Sequence, residues 1–196
     1  MRTKDRVKRR GFTLIELAIV LVIIGLILGM VFKGRQLIDS AKVDNVIAQR
    51  NKILAAVNTF YERYGFYPGD GCTTSTPASP YDCTGYKNGV VDSATENDAF
   101  WYLLINVTHL LSQADRNSVF GQPWQLIYRN FHGVTGDWLD LPGGAQIPTK
   151  FMCVIDKKID DGEYDSGQVQ ATVAYHKNTD CWSLGGNTDG WIYLFP

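Results

Sequence analysis

Glu16 is the one ionisable residue in the run FTLIELAIVLVIIGLILGMVF, which occupies positions 12–32. An α-helix rises ~1.5 Å per residue, so such a run reaches about 30 Å, the depth of a bilayer's hydrocarbon core. A carboxylate inside it costs roughly 2.5–3.5 kcal/mol on insertion scales, and residues of this kind usually have a partner. No basic residue lies within one helical turn on the membrane side. The nearest positive group would be a new α-amino terminus, created by a cut just before Phe12. A buried carboxylate and a buried ammonium are each costly alone and cheaper together. Ion pairing through Glu16 is the chemistry this pattern points to.

The remaining candidates for chemistry lie further along. Asp156, Asp160, Asp161 and Asp165 could gather around a hard cation, but no loop glycine and terminal glutamate complete a calcium pattern. The favoured reading there is a helix end with solvated acids and a turn. Residues 82–96 fail the same comparison, because Thr84 and Tyr86 fall at the first and third ligand positions. His109, His132 and His176 are scattered without metal-ligand spacing. No phosphate-binding, dinucleotide-binding or nucleophile-elbow motif occurs. No catalytic residue and no cofactor is expected. Cys72, Cys83, Cys153 and Cys181 form an even set. Outside the cytoplasm two disulfides are the economical reading. Of three connectivities, Cys72–Cys83 with Cys153–Cys181 is favoured because each closes a local loop. The alternative is four buried thiols in a cytoplasmic protein.

Charge is distributed unevenly. Residues 1–11 carry six basic side chains and one acid, a local +5 within a total of −1, which leaves −6 on the other 185 residues. An acidic body argues against a nucleic-acid binder. The basic cluster directly before the apolar run keeps the N-terminus cytoplasmic and sends the rest across. The residues after the run, GMVFKGRQLIDSAK, offer no small-residue site for an ordinary signal peptidase.

The elements that carry these residues follow from periodicity. Val43, Val46, Ile47, Ile53, Leu54, Val57, Phe60, Tyr61 and Tyr64 keep a 3–4 spacing that extends the helix to 64, where Gly65 and Pro68 stop it. One rod over 12–64 is expected, its second half lying against a sheet, with a break near Lys33-Gly34 as the alternative. Residues 69–92 read as turns, 95–113 as a second helix, 124–131 as a strand and 149–161 as a short helix. Residues 168–176 and 191–195 read as strands.

Arg10-Gly11-Phe12-Thr13-Leu14-Ile15-Glu16 resembles the processing site of bacterial type IV prepilins and type II secretion pseudopilins. The resemblance implies cleavage by a prepilin peptidase between Gly11 and Phe12, N-methylation of Phe12, and pairing of Glu16 with the amine of a neighbouring subunit. It also implies partners: copies of itself or other pilins, an inner-membrane assembly platform and an assembly ATPase. Many family members carry a proline where this chain has Lys33. The stretches 32–42, 58–70 and 155–169 resemble one prepilin branch.

The expected fold is α+β, a long N-terminal helix packed on a small antiparallel sheet. The divisions are a leader at 1–11, a membrane-spanning half at 12–32, an amphipathic half at 33–64 and a globular domain at 65–196. The function expected is a pilus-like filament subunit in the inner membrane, with a secretion pseudopilin as the alternative. A membrane-anchored periplasmic enzyme or binding domain is the reading from a different class.

Overall fold

The computed structural model describes residues 13–142, 144 and 147–196. It divides into two units, residues 1–40 and 41–196. Helix α1, Leu14–Tyr64, runs through 51 residues without interruption. No proline falls within it, and the turn at Lys33-Gly34 stays helical. Thr13 caps its start. The Thr13 hydroxyl accepts from the Glu16 backbone N–H at 3.3 Å, and the Thr13 N–H donates to Glu16 Oε2 at 2.8 Å. This reciprocal capping box satisfies two of the four donors that a helix start leaves open. Gly65 closes the other end, donating to Tyr61 O at 2.8 Å.

In the second unit, one face of α1 enters the core. Val43, Val46, Ile53, Val57 and Phe60 are fully buried, at the 3–4 spacing the sequence displays. They join a cluster with Trp101, Leu104, Leu139, Met152, Ile155 and Ile192. Arg50 ties the helix to the sheet by donating to Tyr193 O from Nε at 3.2 Å and to Gln168 Oε1 from Nη2 at 3.0 Å.

The sheet is antiparallel. Its strands are β1 Gln125–Phe131, β2 Val134–Asp140, β4 Val169–Ala171 and β6 Gly190–Phe195, in the order β1-β2-β6-β4. A two-residue ribbon pairs β3, Ile147–Pro148, with β5, Asn187–Thr188. Helices α2 (Ala94–Tyr102), α3 (Gln113–Arg116) and α4 (Thr149–Ile159) complete the unit. The architecture is α+β.

Several boundaries differ from the periodicity. The stretch expected as one helix over 95–113 becomes a π-helical turn at Leu103–Val107 and stops at Thr108, with His109 at φ +54°. The strand expected over 168–176 pairs only through Ala171. There Thr172 N–H turns to Asp189 O and Thr188 Oγ1. Strand β2 had no sequence signal, because Gly136 and Asp137 break the alternation. Gly136 is required by close packing: a Cβ there would come within 2.6 Å of Phe195 O and the Tyr193 ring.

Buried carboxylates organise the connection from α1 to α2. Asp70 accepts from the N–H groups of Asn88 and Gly89 at 3.1 and 3.0 Å. Glu96 completes a capping box with Ser93 and accepts from Gly71 N–H at 2.9 Å. The Cys72–Cys83 disulfide closes this segment. Asp137 sits at a register shift between β2 and β6. It is 0 % exposed; Oδ2 accepts from Val91 N–H at 3.2 Å, while Oδ1 has no hydrogen-bond partner among the described residues. Burial pushes its carboxyl up to about 8, and the neighbouring Asp92, Glu96 and Asp70 push the same way against the Val91 bond.

A folded-state pKa above the unfolded value means the native state holds the proton more tightly. The stability this supplies is complete below about pH 4 and drains away as pH rises through about 8. Asp137→Asn should therefore match the parent's melting temperature near pH 4 and exceed it by roughly 3 °C or more at pH 9, measured by circular dichroism.

Candidate assembly segment and acidic turn

Two groups of sequence candidates lie in different units. Gly11 and Phe12, the expected cleavage position, lie outside the described residues. Glu16 occupies the third helical position of α1, with Thr13 as its cap. A carboxylate offers about four lone-pair sites, so the Thr13 bond leaves capacity for an ammonium. The bond also fixes the side chain near the helix start, where the macrodipole favours negative charge. Thr13-Leu-Ile-Glu16 carries the Thr-x-x-Glu capping pattern, the local signal for this role.

From Leu14 to Val31 every described side chain is exposed. Leu14, Leu21 and Met30 stand at 88, 70 and 66 %. The helix is long and apolar enough to cross a membrane, and none of its apolar window is buried within the chain. A Cβ added at Gly25 or Gly29 would meet nothing within 4 Å, so no intrachain packing requires glycine there.

The acidic turn forms the second group. Helix α4 places Asp156 on its buried face, and the chain then turns through Asp160 and Asp161 into β4. One carboxylate oxygen from each of Asp156, Asp160 and Asp161 lies within 4.8 Å of the others. Asp165 stays outside this group. Asp156 Oδ1 accepts from Gly162 N–H at 2.8 Å. Asp160 Oδ2 accepts from the N–H groups of Gln168 and Val169. Asp161 accepts from Glu163 N–H at 2.9 Å and from the Ser166 hydroxyl at 2.6 Å. Burial pushes Asp156 up to about 7, and Asp160 and Asp161 add repulsion. Backbone N–H groups and the Ser166 hydroxyl hold these carboxylates where α4 ends and the chain turns. The pattern Ile155-Asp-Lys-Lys-Ile-Asp-Asp-Gly162 with Ser166-Gly167 thus has a structural logic.

The Cys153–Cys181 disulfide anchors α4 on the far side, so all four cysteines are paired as Cys72–Cys83 and Cys153–Cys181. The histidines remain apart. His109 meets Ile105 O, His132 meets Gln170 Oε1 and His176 meets Glu163 Oε2.

Residues 6–32 match the prokaryotic N-terminal methylation motif. That motif is the signature of type IV pilins and pseudopilins. It indicates a structural subunit rather than an enzyme, and the pilin motif with one apolar helix fits inner-membrane anchoring. No curated protein and no solved structure gives a significant match.

Gly167 holds φ +70°, and a Cβ there would collide with the Asp160 carboxylate. Gly167→Ala should destabilise the protein by about 1–3 kcal/mol, read as an earlier urea midpoint, through strain in the left-handed region and displacement of Asp160.

Proposed function

We propose that this chain is a structural subunit of a type IV pilus-like filament. In this reading it inserts in the inner membrane with a cytoplasmic N-terminus. A prepilin peptidase cuts between Gly11 and Phe12, Phe12 is N-methylated, and subunits polymerise through the first half of α1. The observation that carries it is an apolar helix left uncovered by its own chain, with a single acid three residues into the helix. The bilayer covers that surface before assembly, and neighbouring subunits cover it afterwards. Glu16 then supplies register. Its carboxylate meets the methylated amine of an adjacent copy, and any other stagger leaves both charges unpaired in an apolar bundle.

An assembly platform and an ATPase are the partners this scheme requires, and the filament stands in the periplasm or outside the cell. The motif is equally the mark of pseudopilins, so a short periplasmic filament that drives protein export is the second reading. Deletion separates the two: loss of surface fibres supports the first, loss of exoprotein secretion the second.

Mass spectrometry of protein from cells should give a mature chain that starts at Phe12 and carries one extra methyl group. A chain that starts elsewhere would sink the proposal. Glu16→Ala should leave membrane insertion intact and abolish filament growth in electron micrographs; normal filaments would count against Glu16 as the register contact.

A further inference from the structure

We infer that a cavity of the globular unit, between Arg116 and Asp98, binds a small zwitterion: an α-amino acid with a compact apolar side chain. The cavity holds about 230 Å³. Drug-sized ligands occupy roughly 300–1,000 Å³, so this one suits a smaller molecule.

Three separate segments build it. Helix α2 and the π turn that follows it contribute Asp98, Tyr102 and Ile105, spaced four and three apart along one helical face. Helix α3 contributes Arg116, its last residue. Ser75 and Thr76 come from the loop that the Cys72–Cys83 disulfide ties. Single π turns are rare and recur at functional sites. Here the turn is closed by Thr108 N–H on Leu103 O at 2.9 Å, and it carries Ile105 into the cavity wall.

Arg116 is fixed at its base and open at its tip. Its carbonyl accepts from Trp124 N–H at 2.7 Å, its Nε donates to Trp124 O at 3.4 Å, and its guanidinium lies over the Trp101 ring at 5.3 Å. Its two terminal nitrogens have no acceptor among the described residues. A guanidinium fork matches a carboxylate in bidentate geometry. The Asp98 carboxylate is exposed and accepts no hydrogen bond among the described residues. Its charge acts on Arg116, yet no ion pair joins the two. Opposite charges that sense each other without touching leave a gap, and a molecule with an anionic and a cationic end a short distance apart spans it. An α-amino acid carries both on one carbon. The nearby Lys52 and Asp115 are already paired with each other at 2.7 Å.

The lining disfavours other small ligands. A carboxylate in the same cavity repels phosphates, and one carboxylate is too few for a hard cation. Trp101 is 1 % exposed beneath Arg116, so its ring face is closed to a sugar. Tyr102 and Ile105 offer apolar contact to a short side chain. Trp101 Nε1 is buried without a hydrogen-bond partner, and a carboxylate in the cavity brings the kind of acceptor it lacks. Every group named belongs to the globular unit, so the site does not depend on whether the chain polymerises.

The test uses the full chain in detergent micelles and follows the Trp101 indole N–H, one of five such signals, by NMR. L-alanine should shift it saturably, with a dissociation constant of about 1 mM. Acetate and ethylamine each carry only one of the two charges and should bind at least ~10-fold more weakly. Asp98→Asn should weaken L-alanine at least ~10-fold while acetate binds as well as before or better. Arg116→Gln should lose both, and Glu62→Gln, on α1 outside the cavity, should lose neither. The Asp98 carboxylate supports no fold contact, so Asp98→Asn should keep the parent's melting temperature. Three results would each overturn the site: no shift up to about 50 mM L-alanine, equal L-alanine binding by Asp98→Asn and the parent, or a tighter response to glucose than to L-alanine.

Discussion

An apolar surface that the chain itself leaves uncovered governs everything else in this protein. The side chains from Leu14 to Val31 are exposed, and transfer of apolar surface out of water is worth roughly 25 cal/mol per Å². In the proposed function lipid or other copies cover it, and both environments penalise an unmatched charge. Glu16 is the residue at which that penalty becomes specific. Its bond to Thr13 N–H makes the isolated helix start self-consistent, and its spare lone pairs give a neighbour something to find.

The globular unit solves its own problem with the same chemistry in a different place. Loops that carry little core are organised by buried acids that accept backbone N–H groups. Asp70 does this for residues 88–89, Glu96 for 71 and 92–93, Asp137 for 91, and Asp156 for 162. Such bonds fix irregular backbone that a four-stranded sheet cannot reach. They also leave negative charge in dry surroundings, which is why Asp70, Asp137 and Asp156 are all pushed upward by burial. The two disulfides bracket the same irregular stretches.

The sequence made some of this legible and hid the rest for identifiable reasons. Helix α1 was readable because 51 residues without proline carry a sustained period, and its cap lies in a four-residue pattern. The strand at Gln125–Phe131 and the final strand were readable from β-branched and aromatic runs. Strand β2 was not, because its defining residue is a glycine chosen for close approach to Phe195 and Tyr193, a tertiary demand with no local trace. The second helix was overextended because Leu103, Leu104, Val107, Leu110 and Leu111 keep a helical apolar spacing while the backbone widens into a π turn. At the acidic turn, residue types were visible, but convergence was not. Whether Asp156, Asp160 and Asp161 come together depends on how α4 meets β4.

The position of β6 has a consequence for the order of events in biosynthesis. This strand, Gly190–Phe195, is the last element of the sequence, yet it lies between β2 and β4 and receives Arg50 from the first helix. Without it, β4 has no partner strand and Arg50 loses its acceptor at Tyr193 O. The four-stranded sheet therefore cannot close in the order in which its strands occur in the chain. Pairing of β2 and β4 through their shared neighbour waits for residues 190–195.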